Sequence, residues 1–317
     1  MAMVTSAVQR GATWLITPAA TPDRFSSALG CGADVVLLDL EDSVPHHRKD
    51  QARTAALTFL AEVEAGTKAA TGDGRTAVGM RLNGPGTLAS LRDLVAVAES
   101  GVHPAVLLIP KVESPRDIDL VAEVLSVDGD THAGRTGPST GMWALIETPL
   151  AIHRLQEILT SRSLAGVVFG AADYAAAAGC RRTASALRYP RAALAAGAAA
   201  AGLPAVDSPH FDLDDPDGLR REAEEAYDLG FTAKGAVHPR QLAIIRAAFQ
   251  PSPQELDHAR AVVHAADTAD AAHPITLADG SMVGPPLLDA ARALIDQADG
   301  ALHPASTAPP HTSGGMR

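Results

Sequence analysis

Gly32-Ala33-Asp34-Val35-Val36-Leu37-Leu38-Asp39-Leu40-Glu41-Asp42 is the stretch on which the fold turns. Its four consecutive aliphatic residues, Val35–Leu38, do not alternate with polar ones, so the strand they form is covered on both faces, as in a parallel sheet. Outward from it, similar short runs recur along the chain: Thr13–Thr17, Val35–Leu40, Ala77–Leu82, Ala105–Val112, Met142–Ile146, Gly166–Gly170, Pro204–Val206 and Thr232–Val237. Helix-length stretches separate them. Asp215 is placed to cap a helix with Pro216 at its first position and Gly230 beyond its end. Pro115–Leu125 sets Ile118, Val121, Ala122 and Leu125 on one side. Eight strand–helix alternations in about 250 residues fit a closed (β/α)8 TIM barrel. An open doubly wound sheet is the competing layout, but no G-x-G-x-x-G follows the first strand.

The rhythm changes after Phe249. Pro253–Ala269 reads as a helix, Ile275–Val283 as a hairpin turning at Asp279-Gly280, and Leu287–Ala298 as a last helix. The expected organisation is therefore a barrel over residues 1–250 and a C-terminal helix–hairpin–helix extension over 251–300. A Pro/Ser/Thr/Gly/His-rich tail over 301–317 is expected to be disordered. The segments Thr67–Arg75 and Asp128–Ser139 read as surface connections.

The 317 residues carry 26 basic and 37 acidic side chains, a net charge of −11 that argues against nucleic acid as a partner. The longest apolar runs fall far short of the roughly 20 residues that cross a bilayer. The two cysteines, Cys31 and Cys180, are far apart and suggest free thiols in a reducing, cytoplasmic setting. The start of the chain lacks the layout of a signal peptide.

Polar residues gather where the strands end, the face on which barrels of this kind build their sites. Asp39, Glu41 and Asp42 follow strand 2, Arg81 and Asn83 strand 3, and Lys111 and Glu113 strand 4; Glu147 ends strand 5, Asp173 strand 6 and His238 strand 8. Adjacent parallel strands lie about 4.8 Å apart, so Glu147 and Asp173 should converge. Two such acids repel unless a proton or a cation lies between them, and Mg²⁺ suits one or two carboxylates completed by water and ligand oxygens. The alternative, that each acid caps the helix after it, stays open. Arg81 would either grip an anionic ligand or pair internally with Asp39 or Glu41. His238 reads as a cap for the following helix, and Lys234 lacks the setting of a Schiff-base lysine. Cys180 has basic neighbours but no His/Asn partner, and Trp14 and Trp143 read as core.

Taken together, these blocks resemble the citrate lyase β-subunit-like branch of the HpcH/HpaI aldolase family. The matching strings are Thr13–Pro18 with Pro22–Phe25, Gly32–Asp42, Lys49 with Ala52-Arg53, Arg81-Leu82-Asn83, Pro110–Ser114, Leu145–Thr148, Phe169–Asp173 and Gly235–Gln241. The resemblance runs in order from about Thr13 to Ala298. It implies a TIM barrel, commonly trimeric, that cleaves citryl-, citramalyl- or malyl-CoA-type thioesters into an acyl-CoA and a 2-keto acid. By that implication Glu147 and Asp173 bind Mg²⁺, and Arg81 with the turn Ala171-Ala172-Asp173 contacts the substrate. Glu41 and Asp42 are implied in catalysis, and Arg24 and Lys49 in holding coenzyme A phosphates. The chain departs from the family's pattern at Gly284, where the string Asp279-Gly280-Ser281-Met282-Val283 leads to an acid in other members. It departs again at Ala19-Ala20 and at Ala172. A different acid, Glu41 or Asp42, is then expected to protonate the enolate. The alternatives are aldol or hydrolytic chemistry on a keto or hydroxy acid without coenzyme A, or a ligand-binding homologue without turnover.

Overall fold

The computed structural model describes residues 8, 11–68, 76–126, 140–268, 275–277 and 280–302. Eight strands follow one another: β1 (Thr13–Pro18), β2 (Val35–Asp39), β3 (Ala77–Arg81), β4 (Val106–Ile109), β5 (Gly141–Ile146), β6 (Leu164–Phe169), β7 (Ala205–Asp207) and β8 (Ala233–Ala236). Each pairs in parallel with the next, and β8 returns to β1, so the sheet closes into a barrel in sequence order. All eight expected strands are present, and helices stand between them as a TIM barrel requires.

Successive side chains in a strand point to opposite faces, and the core divides accordingly. One cluster, containing Trp14, Val35, Leu37, Ala77, Val106, Leu108, Trp143, Leu145, Val168, Val206 and Ala233, fills the barrel. The other joins Leu15, Val36, Leu38, Val78, Met80, Leu107, Ile109 and Phe169 to the surrounding helices. Burial on both faces explains the unbroken aliphatic runs. Inside, large and small residues complement one another. Gly166 faces Trp143 across the β5–β6 register, and a Cβ on it would lie 2.3 Å from the indole ring. A Cβ on Gly79 would lie 2.6 Å from that of Val106. Trp143 in turn meets Trp14 edge-on, with ring centroids 4.6 Å apart.

The strand ends depart from expectation where local chemistry intervenes. β4 stops at Ile109 rather than at Val112, because Pro110 has no N–H to donate and Lys111 adopts a left-handed φ of 53°. β6 ends at Phe169, so Asp173 is not a strand-end residue but the third residue of the helix Ala171–Ala178. The Asp215 carboxylate accepts the Gly218 N–H at 2.8 Å and opens the helix Pro216–Asp228. His238 caps the turn Pro239–Gln241 by accepting the Arg240 N–H at 3.1 Å.

The chain falls into two compact units, Met1–Phe249 and Gln250–Arg317. In the second, helices Pro253–Thr268 and Pro285–Leu302 enclose Ala259, Val262, Val283 and Ala291. The expected hairpin is present as a single antiparallel bridge, Thr276 to Met282, above a turn in which Gly280 takes φ 86°. Asp279, residues 303–317 and most of the two expected surface connections lie outside the described residues. No described helix is long and apolar enough to cross a membrane.

Candidate active site at the C-terminal mouth of the barrel

The inward-facing files of the strands explain where the polar residues meet. On β2 that file reads Val35, Leu37, Asp39; on β3, Ala77, Gly79, Arg81; on β5 and just beyond it, Trp143, Leu145, Glu147. In each file the apolar members fill the barrel and the last, uppermost member is charged. Asp39 and Arg81 are register partners on neighbouring strands. Their side chains form a two-pronged ion pair, Nε to Oδ1 at 2.6 Å and Nη2 to Oδ2 at 2.7 Å. The internal pairing considered for Arg81 is thus what the structure contains. Burial works against a charged Asp39, but the hydrogen bonds and charge of Arg81 outweigh it and hold the carboxyl below its ordinary value. Arg81 extends the network, with Nη1 3.0 Å from Glu41 Oε2 and 3.6 Å from Asp42 Oδ2.

Glu147 is 1% exposed. Its Oε1 accepts the backbone N–H of Lys111 at 2.7 Å, while Oε2 is buried and has no hydrogen-bond partner among the described residues. Burial raises its pKa most, the negative charges of Glu41 and Asp173 add to that, and the result is about 8. Gly170 makes the room. A Cβ there would lie 2.4 Å from Glu147 Cβ and 2.8 Å from Oε2. Gly170 and Gly166 both belong to the inward file of β6 and its continuation, so both yield space to large neighbours on β5. Asp173, half-buried in the first turn of its helix, makes no hydrogen bond or ion pair with any described residue. Glu147 does not cap the next helix; Thr148 does, accepting the Ala151 N–H at 3.1 Å. Of the two readings of this pair, the cap therefore does not hold for Glu147.

Glu41 is 6% exposed. Burial lifts its carboxyl above the ordinary value against the pull of Arg81 and Lys111. Lys111 Nζ reaches Glu41 Oε1 at 3.0 Å, so Lys111 touches both Glu147 and Glu41. Asp42 is exposed.

The remaining expected site residues are placed differently. Lys49 turns inward, its ammonium donating to the carbonyls of Leu40 and Glu41 at 2.9 and 2.8 Å, and so braces the acidic loop instead of presenting a charge to solvent. Arg24 is exposed at the end of the turn Pro22–Arg24 and has no carboxylate partner among the described residues. The Ala171 N–H is taken by Ser208 Oγ at 3.0 Å, whereas Ala172 is exposed. Lys234 points to the helix layer, opposite to its neighbour Ala233, and is 1% exposed. It is paired with Asp207 at 2.6 Å and with the Ser208 carbonyl at 2.7 Å, so no Schiff-base role is open to it. Arg191, from the helix Ala184–Ala200, clamps the same Asp207 at 3.1 Å. Sequence reasoning missed the bridging position of Lys111, the clearance at Gly170 and the Ser208 contact. Only the strand-end position of Lys111 pointed toward the first.

Residues 13–239 match the pattern of HpcH/HpaI aldolase/citrate lyase. The chain belongs to the HpcH/HpaI aldolase/citrate lyase family. Within that family, citrate lyase subunit beta of Escherichia coli K12 is 32% identical over 291 residues, covering 90% of this chain and 92% of the relative. A (3S)-malyl-CoA thioesterase of Cereibacter sphaeroides is 32% identical over 277 residues, covering 85% and 88%. The crystal structure of the family protein CitE from Mycobacterium tuberculosis, in complex with magnesium, acetoacetate and coenzyme A, superposes with a TM-score of 0.73 at 31% identity, covering 92% of this chain and 98% of that one.

Proposed function

We propose that the protein is a Mg²⁺-dependent carbon–carbon lyase that cleaves a hydroxyacyl-CoA thioester of the malyl-, citramalyl- or citryl-CoA type into an acyl-CoA and a 2-keto acid. The observation that carries this reading is Glu147 Oε2, a buried carboxylate oxygen without a hydrogen-bond partner among the described residues, beside a second acid, Asp173, likewise unpaired among them, in space kept clear by Gly170. Such an oxygen is costly unless it is protonated or faces a cation. Two carboxylates completed by ligand and water oxygens suit Mg²⁺, and the likeness to a relative crystallised with magnesium and coenzyme A supports the choice. Glu147 and Asp173 would hold the cation, which supplies Lewis-acid polarisation of the substrate oxygens.

The chain's own residues provide the rest. Arg81 is fixed on Asp39 by two of its five N–H groups, and its Nη1 lies 3.0 Å from Glu41 Oε2, which leaves N–H groups for a carboxylate or a developing enolate oxygen. Glu41, drawn up by burial, is the member of the acidic loop suited to take and return a proton; Asp42 is exposed. In the balanced reaction Glu41 accepts the hydroxyl proton as the carbon–carbon bond breaks. The electron pair of that bond passes to the thioester enolate, the hydroxyl carbon becomes the carbonyl carbon of the 2-keto acid, and Glu41 returns the proton to the enolate carbon.

The likeness to the (3S)-malyl-CoA thioesterase favours one second reading, hydrolysis of the same thioesters. Incubation with (3S)-malyl-, citramalyl- and citryl-CoA in the presence of Mg²⁺, with products resolved by chromatography, separates the two. Acyl-CoA plus 2-keto acid supports the lyase, and free coenzyme A plus hydroxy acid supports the thioesterase. No turnover of any of them overturns both. Glu147→Gln should abolish whichever activity is found.

A further inference from the structure

Lys111 is the one described residue other than glycine with a left-handed backbone. That conformation is unfavourable for a side chain with a Cβ, so something must hold it there. Two contacts do so from opposite ends of the residue. The backbone N–H points at Glu147 Oε1 at 2.7 Å, and the side chain turns back so that Nζ meets Glu41 Oε1 at 3.0 Å. The stem passes close over Gly84, where a Cβ would come within 3.5 Å of Lys111 Cδ. Glu147 therefore has one oxygen engaged and one free, and Glu41 is drawn toward Lys111 and Arg81.

We propose that Lys111 is the positioning residue of the cation site: its left-handed backbone engages Glu147 Oε1 so that Oε2 alone faces the cation, while its ammonium ties Glu41 back as a separate acid. This inference rests on the Mg²⁺ reading above. The two halves of the residue have separate jobs, and substitution pulls them apart. Glycine and asparagine tolerate the left-handed conformation and keep the N–H aimed at Glu147 without the ammonium. Alanine and valine also lack the ammonium but disfavour that conformation, valine more strongly. Without the tether to Glu41, their backbone is free to relax and the N–H is lost to Glu147.

Mn²⁺ binding to the 317-residue protein, followed by calorimetry and by electron paramagnetic resonance in the absence of substrate, tests this. Lys111→Gly and Lys111→Asn should bind Mn²⁺ as tightly as the wild type or more tightly, since a nearby positive charge is gone. Lys111→Ala should be weaker, and Lys111→Val weaker by about tenfold or more, the scale of losing an outer partner of a metal ligand. If one variant fails to fold, the remaining members of the two pairs make the same comparison. Equal affinities across the four variants, with the wild type binding, overturn the role of Lys111 alone. A wild type that does not bind Mn²⁺, or binds it equally well as Glu147→Gln, overturns the metal reading and this inference with it.

Discussion

Replacing Glu147 by glutamine should stabilise the metal-free protein at alkaline pH and do nothing at acid pH. In the folded protein the Glu147 carboxyl gives up its proton near pH 8, against 4.5 for the same group in an unfolded chain. Below 4.5 both states hold the proton and the group does not affect stability. Between 4.5 and 8 the unfolded chain ionises while the folded one stays protonated, so stability falls as pH rises; above 8 the loss is complete. At 1.36 kcal/mol per pH unit, that interval amounts to a ceiling of about 5 kcal/mol, on the scale of a whole domain's stability. Glutamine keeps an oxygen for the Lys111 N–H and cannot ionise. Urea unfolding in EDTA at pH 5, 6.5 and 8.5 is the assay. The wild-type midpoint should decline relative to that of Glu147→Gln, with most of the divergence between pH 5 and 8. Excess Mg²⁺ should narrow the gap by stabilising only the wild type, because a cation takes the place of the proton. Parallel pH profiles for the two proteins would refute the reasoning, since they would mean that this carboxylate is solvated or already paired.

Gly170→Ala places a methyl group 2.8 Å from Glu147 Oε2 and should cost about 1–3 kcal/mol in urea unfolding, with a loss of Mn²⁺ binding that a distant overpacking would not cause. Lys234→Met leaves Asp207 buried with Arg191 as its remaining cationic partner and should destabilise by about 3 kcal/mol, while Mn²⁺ affinity of the folded fraction is unchanged. Gly284→Asp adds a side chain where, among the described residues, a Cβ meets only Pro286 Cδ at 3.7 Å, so the midpoint of unfolding should hold. If the missing acid limits turnover, production of acyl-CoA and keto acid should rise in that variant; an unchanged rate would assign the proton to Glu41 alone.

The barrel was legible because its strands are covered on two sides, which forces the runs Val35–Leu38 and Val106–Ile109 to be aliphatic at every position. The candidate site was legible in part for a related reason. Asp39, Arg81 and Glu147 are each the residue at which an inward apolar file turns polar, and a file of that kind has no cause to change unless its end meets water or a ligand. Asp173 was placed in the right neighbourhood but on the wrong element, since Gly170 ends the strand and an alanine-rich helix begins earlier than the apolar run suggested. Lys49 illustrates the limit in the other direction. Its charge is visible in the sequence, but the turn His46–Arg48 that directs its ammonium to two carbonyls depends on loop geometry without a periodic signature. The same holds for Lys111, whose bridging role depends on one backbone angle.

The chain's two tryptophans, Trp14 and Trp143, stack edge-on in the barrel interior, 2% and 1% exposed, and residues 250–317 contain no tryptophan, tyrosine or phenylalanine. Intrinsic fluorescence is therefore an optical gauge of the barrel alone, blind to the second unit, whereas far-ultraviolet ellipticity sums the helices of both. Following one melt with the two signals would reveal at once whether the units come apart in concert or in succession.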